Sequence, residues 1–248
     1  MASIPSPRLK PAAPSSSQLL SKADAKTFRA AMRSASRRNW RDVKRHEAAL
    51  SDPTAKAVLL WRRAADDASV SFKDLSEVKQ SQPDWPRMTR IQAKAEKLMF
   101  QKPLSAGETI AWFTGVEPVS GEGRAALARA HYELGNKQSG DEWLRLAWRE
   151  SKLTRDRQRL LFKRYKGRLS KEDHAARADH LIWLGRSHYS SAEALLPYMS
   201  KSDRAMMNAR IRVGGNRSGM QTALNALTPA QSRETAILFE RALWRRKR

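Results

Sequence analysis

Residues 120–148 read SGEGRAALARAHYELGNKQSGDEWLRLAW, and this stretch decides the fold class. Leu127, Ala130, His131 and Leu134 recur at the i, i+3, i+4, i+7 spacing that puts side chains on one face of an α-helix. Leu134-Gly135-Asn136 then stops that helix, because glycine takes the left-handed conformation that ends helical backbone. Trp143 to Trp148 lie on a second helix, and Ala147 stands twelve residues after Gly135. A small residue there lets two helices approach closely, as in a tetratricopeptide hairpin. The aromatic residue such a repeat carries shortly after its glycine is missing, so the unit reads as a helical repeat of irregular length.

The same period extends in both directions. Ala57, Leu60, Trp61 and Ala64 form one apolar stripe, and Thr235, Leu238, Phe239 and Ala242 another. Asp52 before Pro53 has the form of an N-cap followed by the first helical position, where proline's missing N–H costs nothing. Ser105 with Glu108, and Ser170 with Asp173, have capping-box spacing. Gly115 and Gly135 are natural stops, while Gly214-Gly215 reads as a turn between helices. Alternation near Ser69–Phe72 and Ile211–Val213 is too short for paired strands. The expectation is roughly twelve to fourteen short helices in an all-α superhelical array of helical hairpins, an α-solenoid of tetratricopeptide-like character. Residues 1–22, rich in Pro and Ser, read as a flexible lead-in, and residues 23–248 as the α-superhelical domain.

Composition bounds the chemistry. The 248 residues contain no cysteine, which excludes disulfides, thiolate catalysis and cysteine zinc sites. Lys and Arg number 48 against 25 Asp and Glu, a formal charge of +23, which attracts polyanions such as nucleic acid, acidic glycopolymers, anionic lipid or acidic proteins. No run approaches the roughly 18 apolar residues of a membrane span, and the N-terminus lacks a signal-peptide core.

No residue set stands out as catalytic, cofactor-binding or metal-binding. His46, His131, His174, His180 and His188 show no helical pairing with a nearby acid on the same face, so they read as surface or interface residues of helices. Gly135 to Gly140 is not followed by the Gly-Lys-Ser/Thr of a phosphate loop. Arg37-Arg38, Arg62-Arg63 and Arg245-Arg246-Lys247-Arg248 could meet phosphates, but aromatic residues interleaved with base are not evident in the sequence.

Several motifs carry a family resemblance. Pro83-Asp84-Trp85-Pro86, followed by Ala95-Glu96-Lys97-Leu98, resembles the soluble lytic murein transglycosylases. So do Ser120-Gly121-Glu122-Gly123-Arg124 with the alanine-rich run after it, Ala147-Trp148-Arg149-Glu150, Leu169-Ser170-Lys171-Glu172-Asp173-His174, and Phe239-Glu240-Arg241-Ala242-Leu243-Trp244. The resemblance covers about residues 24 to 248. It implies the N-terminal superhelical region of a periplasmic enzyme whose separate lysozyme-like domain cleaves peptidoglycan glycan strands with 1,6-anhydro products. That domain uses a Glu, usually followed by Ser, and then a Gly-Leu-Met-Gln stretch. Here Glu-Ser occurs only at Glu150-Ser151, at a helix end, without the later stretch, so no active-site residue transfers. The implied role is a noncatalytic scaffold, C-terminally truncated, with Leu238 and Phe239 left uncovered. Its implied partners are peptidoglycan or cell-wall enzymes. The alternative is a stand-alone basic repeat that binds nucleic acid or an acidic protein.

Overall fold

The structure, a computed structural model, describes residues 19–246; the first eighteen residues of the expected lead-in lie outside them. The described residues contain fourteen α-helices and four single 3-10 turns, with no strand. They divide into two compact units, residues 19–91 and 92–246, each all-α.

In the first unit, α1 (Lys22–Ser36), α2 (Trp40–Ala48), α3 (Pro53–Asp66) and α4 (Phe72–Ser81) pack in sequence, and α1 also touches α3. Ala31, Ala35, Val43, Leu50, Ala55 and Leu59 form its apolar centre. Asp24 fixes the return of the chain, its carboxylate accepting the backbone N–H groups of Ser51 (2.9 Å) and Asp52 (3.2 Å) just before α3 begins. Asp52 caps α3 through Ala55 N at 2.7 Å with Pro53 in the first turn, as the sequence suggests. Arg63, placed by the sequence in a basic cluster, is instead buried between Glu47 and Asp74, 2.7 Å from each. Such a cation is retained because both charges around it are satisfied.

A fifth helix, α5 (Met88–Gln101), contains the division between the units. The second unit continues with α6 (Ala106–Phe113), α7 (Gly121–Glu133), α8 (Lys137–Arg149), α9 (Arg155–Tyr165), α10 (Lys171–Trp183), α11 (Tyr189–Glu193), α12 (Lys201–Gly215), α13 (Met220–Asn225) and α14 (Thr235–Arg246). The successive pairs α6–α7, α7–α8, α10–α11, α11–α12 and α12–α13 pack on each other, and α8, α10, α12 and α14 also pack each on the next. This neighbour and next-neighbour stacking is how a helical repeat closes its core. The α7–α8 hairpin read from residues 120–148 has the most extensive contact, with Ala147 and Trp148 fully buried. Both capping boxes are formed, at Ser105–Glu108 and Ser170–Asp173.

One expectation is overturned. Gly214 and Gly215 are not a turn. They end α12, which stops at Asn216 in the left-handed conformation (φ 53°). Glycine is needed at 214 because a Cβ there would press on Tyr189 and Glu240. Gly140 lies in α8, against the ring of Tyr132. On α14, Leu238 and Phe239, expected to be uncovered, are about half-exposed. The stripe they share with Ala242 faces outward, and Ile237 and Glu240 turn in.

Candidate functional site

Four of the motifs that carry the family resemblance meet in pairs as packing contacts in the second unit. Glu96 of α5 is fully buried; its Oε1 accepts from Val119 N (2.9 Å) and Gln92 Nε2 (2.8 Å), and its Oε2 accepts from the Ser120 hydroxyl. Ser120 in turn caps α7 through Gly123 N at 3.1 Å. Gly123 is forced by that approach, because a Cβ there would lie 2.5 Å from Glu96 Cδ. Downstream, Trp148 packs edge-on against His174 at 5.6 Å between ring centres, and Arg149 binds Asp173.

Residues of α5, α7 and α9 line a cleft of about 570 Å³. Met99, Ala125, Ala126 and Leu161 line it as buried residues, and the two alanines of α7 leave the hollow unfilled. Phe100 and Tyr165 supply aromatic rings to the lining, and Arg129, Arg157, Lys163 and Arg164 supply cations. Two of the cations are oriented by fixed partners. Arg129 donates to Glu133 (2.7 Å) and to the Leu104 carbonyl (2.7 Å), and Arg157 lies 5.2 Å over the Phe100 ring with Glu122 at 3.5 Å. Lys163 and Arg164 are exposed. A second hollow shares Pro103, Arg129, Arg164 and Tyr165 with the first and adds Tyr132 and Arg168. There the Arg168 guanidinium lies 4.5 Å over Tyr132, whose hydroxyl donates to Asp141 at 2.7 Å. Burial, and then that bond to an ionised carboxylate, push the Tyr132 phenol well above its usual range. Burial raises the Tyr165 phenol too, so both rings stay neutral donors at physiological pH.

The composite surface therefore interleaves cations with aromatic rings, the arrangement that the sequence does not display. Its members come from α5, α7 and α9 and the segments beside them, so no contiguous motif reveals it. The sequence clusters behave otherwise. Arg62 pairs with Asp66 at 3.1 Å, Arg63 is buried, Arg37 and Arg38 are exposed, and Lys247 and Arg248 lie outside the described residues. Glu150 caps the end of α8 with its side chain 62% exposed and Arg124 at 3.9 Å, so no walls exclude water from it.

The histidines are spread among helices. His174 is the buried one, ringed by Trp148, Phe162 and Tyr198, and burial lowers its pKa. Among the described residues no group of His, Asp or Glu could hold a metal ion, and no helix is long and apolar enough to cross a membrane. Comparison with protein-family models, curated proteins and solved structures finds no match to this chain.

Proposed function

We propose that the chain is a noncatalytic helical scaffold that holds peptidoglycan in the periplasm, its basic cleft receiving the acidic stem peptides of the glycan strands. The observation that carries this reading is the convergence of Arg129, Arg157, Lys163 and Arg164 on a cleft with aromatic lining. Guanidinium groups suit carboxylates through paired, charge-assisted hydrogen bonds, and aromatic faces suit the apolar faces of sugars. The meeting of Glu96 with Ser120, and of Arg149 with Asp173, adds support, since motifs that resemble the lytic transglycosylases act together as structural joints. Cell-wall enzymes are the protein partners this setting suggests.

The same cleft supports a second reading, because cations beside aromatic rings also suit single-stranded nucleic acid. Co-sedimentation with purified sacculi, beside retention of labelled single-stranded DNA over a salt series, separates the two. The expected result is retention on intact sacculi, loss on sacculi stripped of stem peptides, and loss on K163E/R164E. Salt-sensitive DNA retention without affinity for sacculi would replace the first reading with the second.

A further inference from the structure

The outward face of α14 forms, with the end of α10, a surface that the cleft does not involve. Trp183 is 50% exposed and Phe239 44% exposed, and their rings lie 5.2 Å apart, tilted by 40°. Leu184 and Leu238 extend the apolar patch from the neighbouring positions. Side chains this large normally turn inward, and a contiguous exposed group of them marks an interaction site.

The helical period tells what surrounds the patch. From Leu238, positions three, four and seven further on are Arg241, Ala242 and Arg245; from Phe239, the seventh is Arg246. Arg186 stands on the other flank, steadied by its bond to the Gly214 carbonyl at 2.8 Å. The acids nearby are already engaged. Asp179 pairs with buried Arg210, and buried Glu240 faces the same guanidinium at 3.9 Å. Glu234, just before α14, is the exposed acid on this side. The apolar strip is thus bordered by cations.

We infer that this face docks an acidic amphipathic helix of a partner protein. A helix presents an apolar stripe of matching width, and its flanking carboxylates would meet Arg241, Arg245 and Arg246. A second copy of this chain fits poorly, because a two-fold pairing would bring the same arginines face to face on a chain of formal charge +23.

The test uses the full chain and two labelled synthetic helices of about 18 residues, long enough to hold helical structure. One carries Leu on one face and Glu on the other; the second has Lys in place of Glu. Fluorescence anisotropy should show saturable binding of the Glu helix and at least about tenfold weaker binding of the Lys helix. F239S and L238S should each weaken the Glu helix by about tenfold or more, with unchanged thermal melting because both side chains are half-exposed. R241E/R245E should abolish the preference for Glu over Lys. Equal binding of the two helices, or binding undiminished in F239S, would overturn the assignment. A concentration-dependent dimer in sedimentation that F239S dissolves would overturn it too, by placing a second copy there.

Discussion

Arg149 Nε donates to Asp173 Oδ1 at 2.6 Å, joining the last turn of α8 to the first turn of α10. The other oxygen of the same carboxylate, Oδ2, accepts Ser170 N at 2.7 Å and closes the capping box of α10. One buried side chain therefore starts a helix and fastens it to the helix it stacks on. Replacing Asp173 by Ala should destabilise the chain by about 3 kcal/mol, the sum of a lost cap and a lost charge-assisted bond. Asp173→Asn should cost clearly less, since it retains an acceptor for one of the two tasks. Urea unfolding of both variants checks the order, and equal losses would contradict the division of labour.

The fit of Gly123 against Glu96 predicts non-additivity. Gly123→Ala should cost about 1–3 kcal/mol, because the new methyl group must displace a carboxylate that holds three donors. Glu96→Ala strands those donors and should cost a similar amount. In the double variant the methyl group enters the space that Glu96 vacates. The two losses should sum to more than the measured total by about 1 kcal/mol or more in a double-mutant cycle.

Arg177 is fully buried and donates to the carbonyls of Ser151 (2.5 Å) and Trp148 (3.2 Å) and to Gln158 Oε1. Burial pushes its pKa down to about 10, so it remains charged at neutral pH. Arg177→Met fills most of the volume yet leaves these acceptors unanswered, and should cost about 3 kcal/mol. Arg177→Lys should recover part of that loss but not all, since an ammonium cannot span the fork of acceptors.

Acid should weaken the second unit through His174. Burial holds its folded pKa below the ordinary value near 6.5, so the unfolded chain takes up the proton first. Stability is then full above about pH 6.5 and declines as pH falls from there towards the folded pKa. His180 adds to the same trend, its pKa lowered by burial and then by Arg177. Melting temperatures between pH 8 and pH 5 should show the decline, and His174→Phe should flatten it. An unchanged slope in that variant would place the acid sensitivity elsewhere.

The readable parts of this fold are those whose causes lie within a few residues. Ser105 with Glu108, Ser170 with Asp173, and Asp52 with Pro53 form their caps inside one turn, so spacing alone finds them. Leu127 and Ala130 are buried as their period requires, whereas Leu134 of the same stripe is exposed at the helix end, and Ala147 is buried between α7 and α8. The apolar period finds the helix α14 but not the inward turn of Glu240, which faces Arg210 thirty positions away in the chain. Gly214 misleads for a similar reason, since its neighbours Tyr189 and Glu240 come from other helices. The cleft is the least legible feature. Its cations belong to α7 and α9, and only packing brings them to the Phe100 ring of α5.

The stacking of α8, α10, α12 and α14 also governs how the chain comes apart. The bonds named between these helices reach only 24 to 31 positions along the sequence, as from Arg149 to Asp173 and from Asp179 to Arg210. Closing such short loops costs little entropy, so assembly can begin at any hairpin and spread to its neighbours. Disassembly follows the same logic. Amide hydrogen exchange should reveal graded, hairpin-sized openings, with the slowest exchange where Trp148, Arg177 and Leu181 lie wholly out of water.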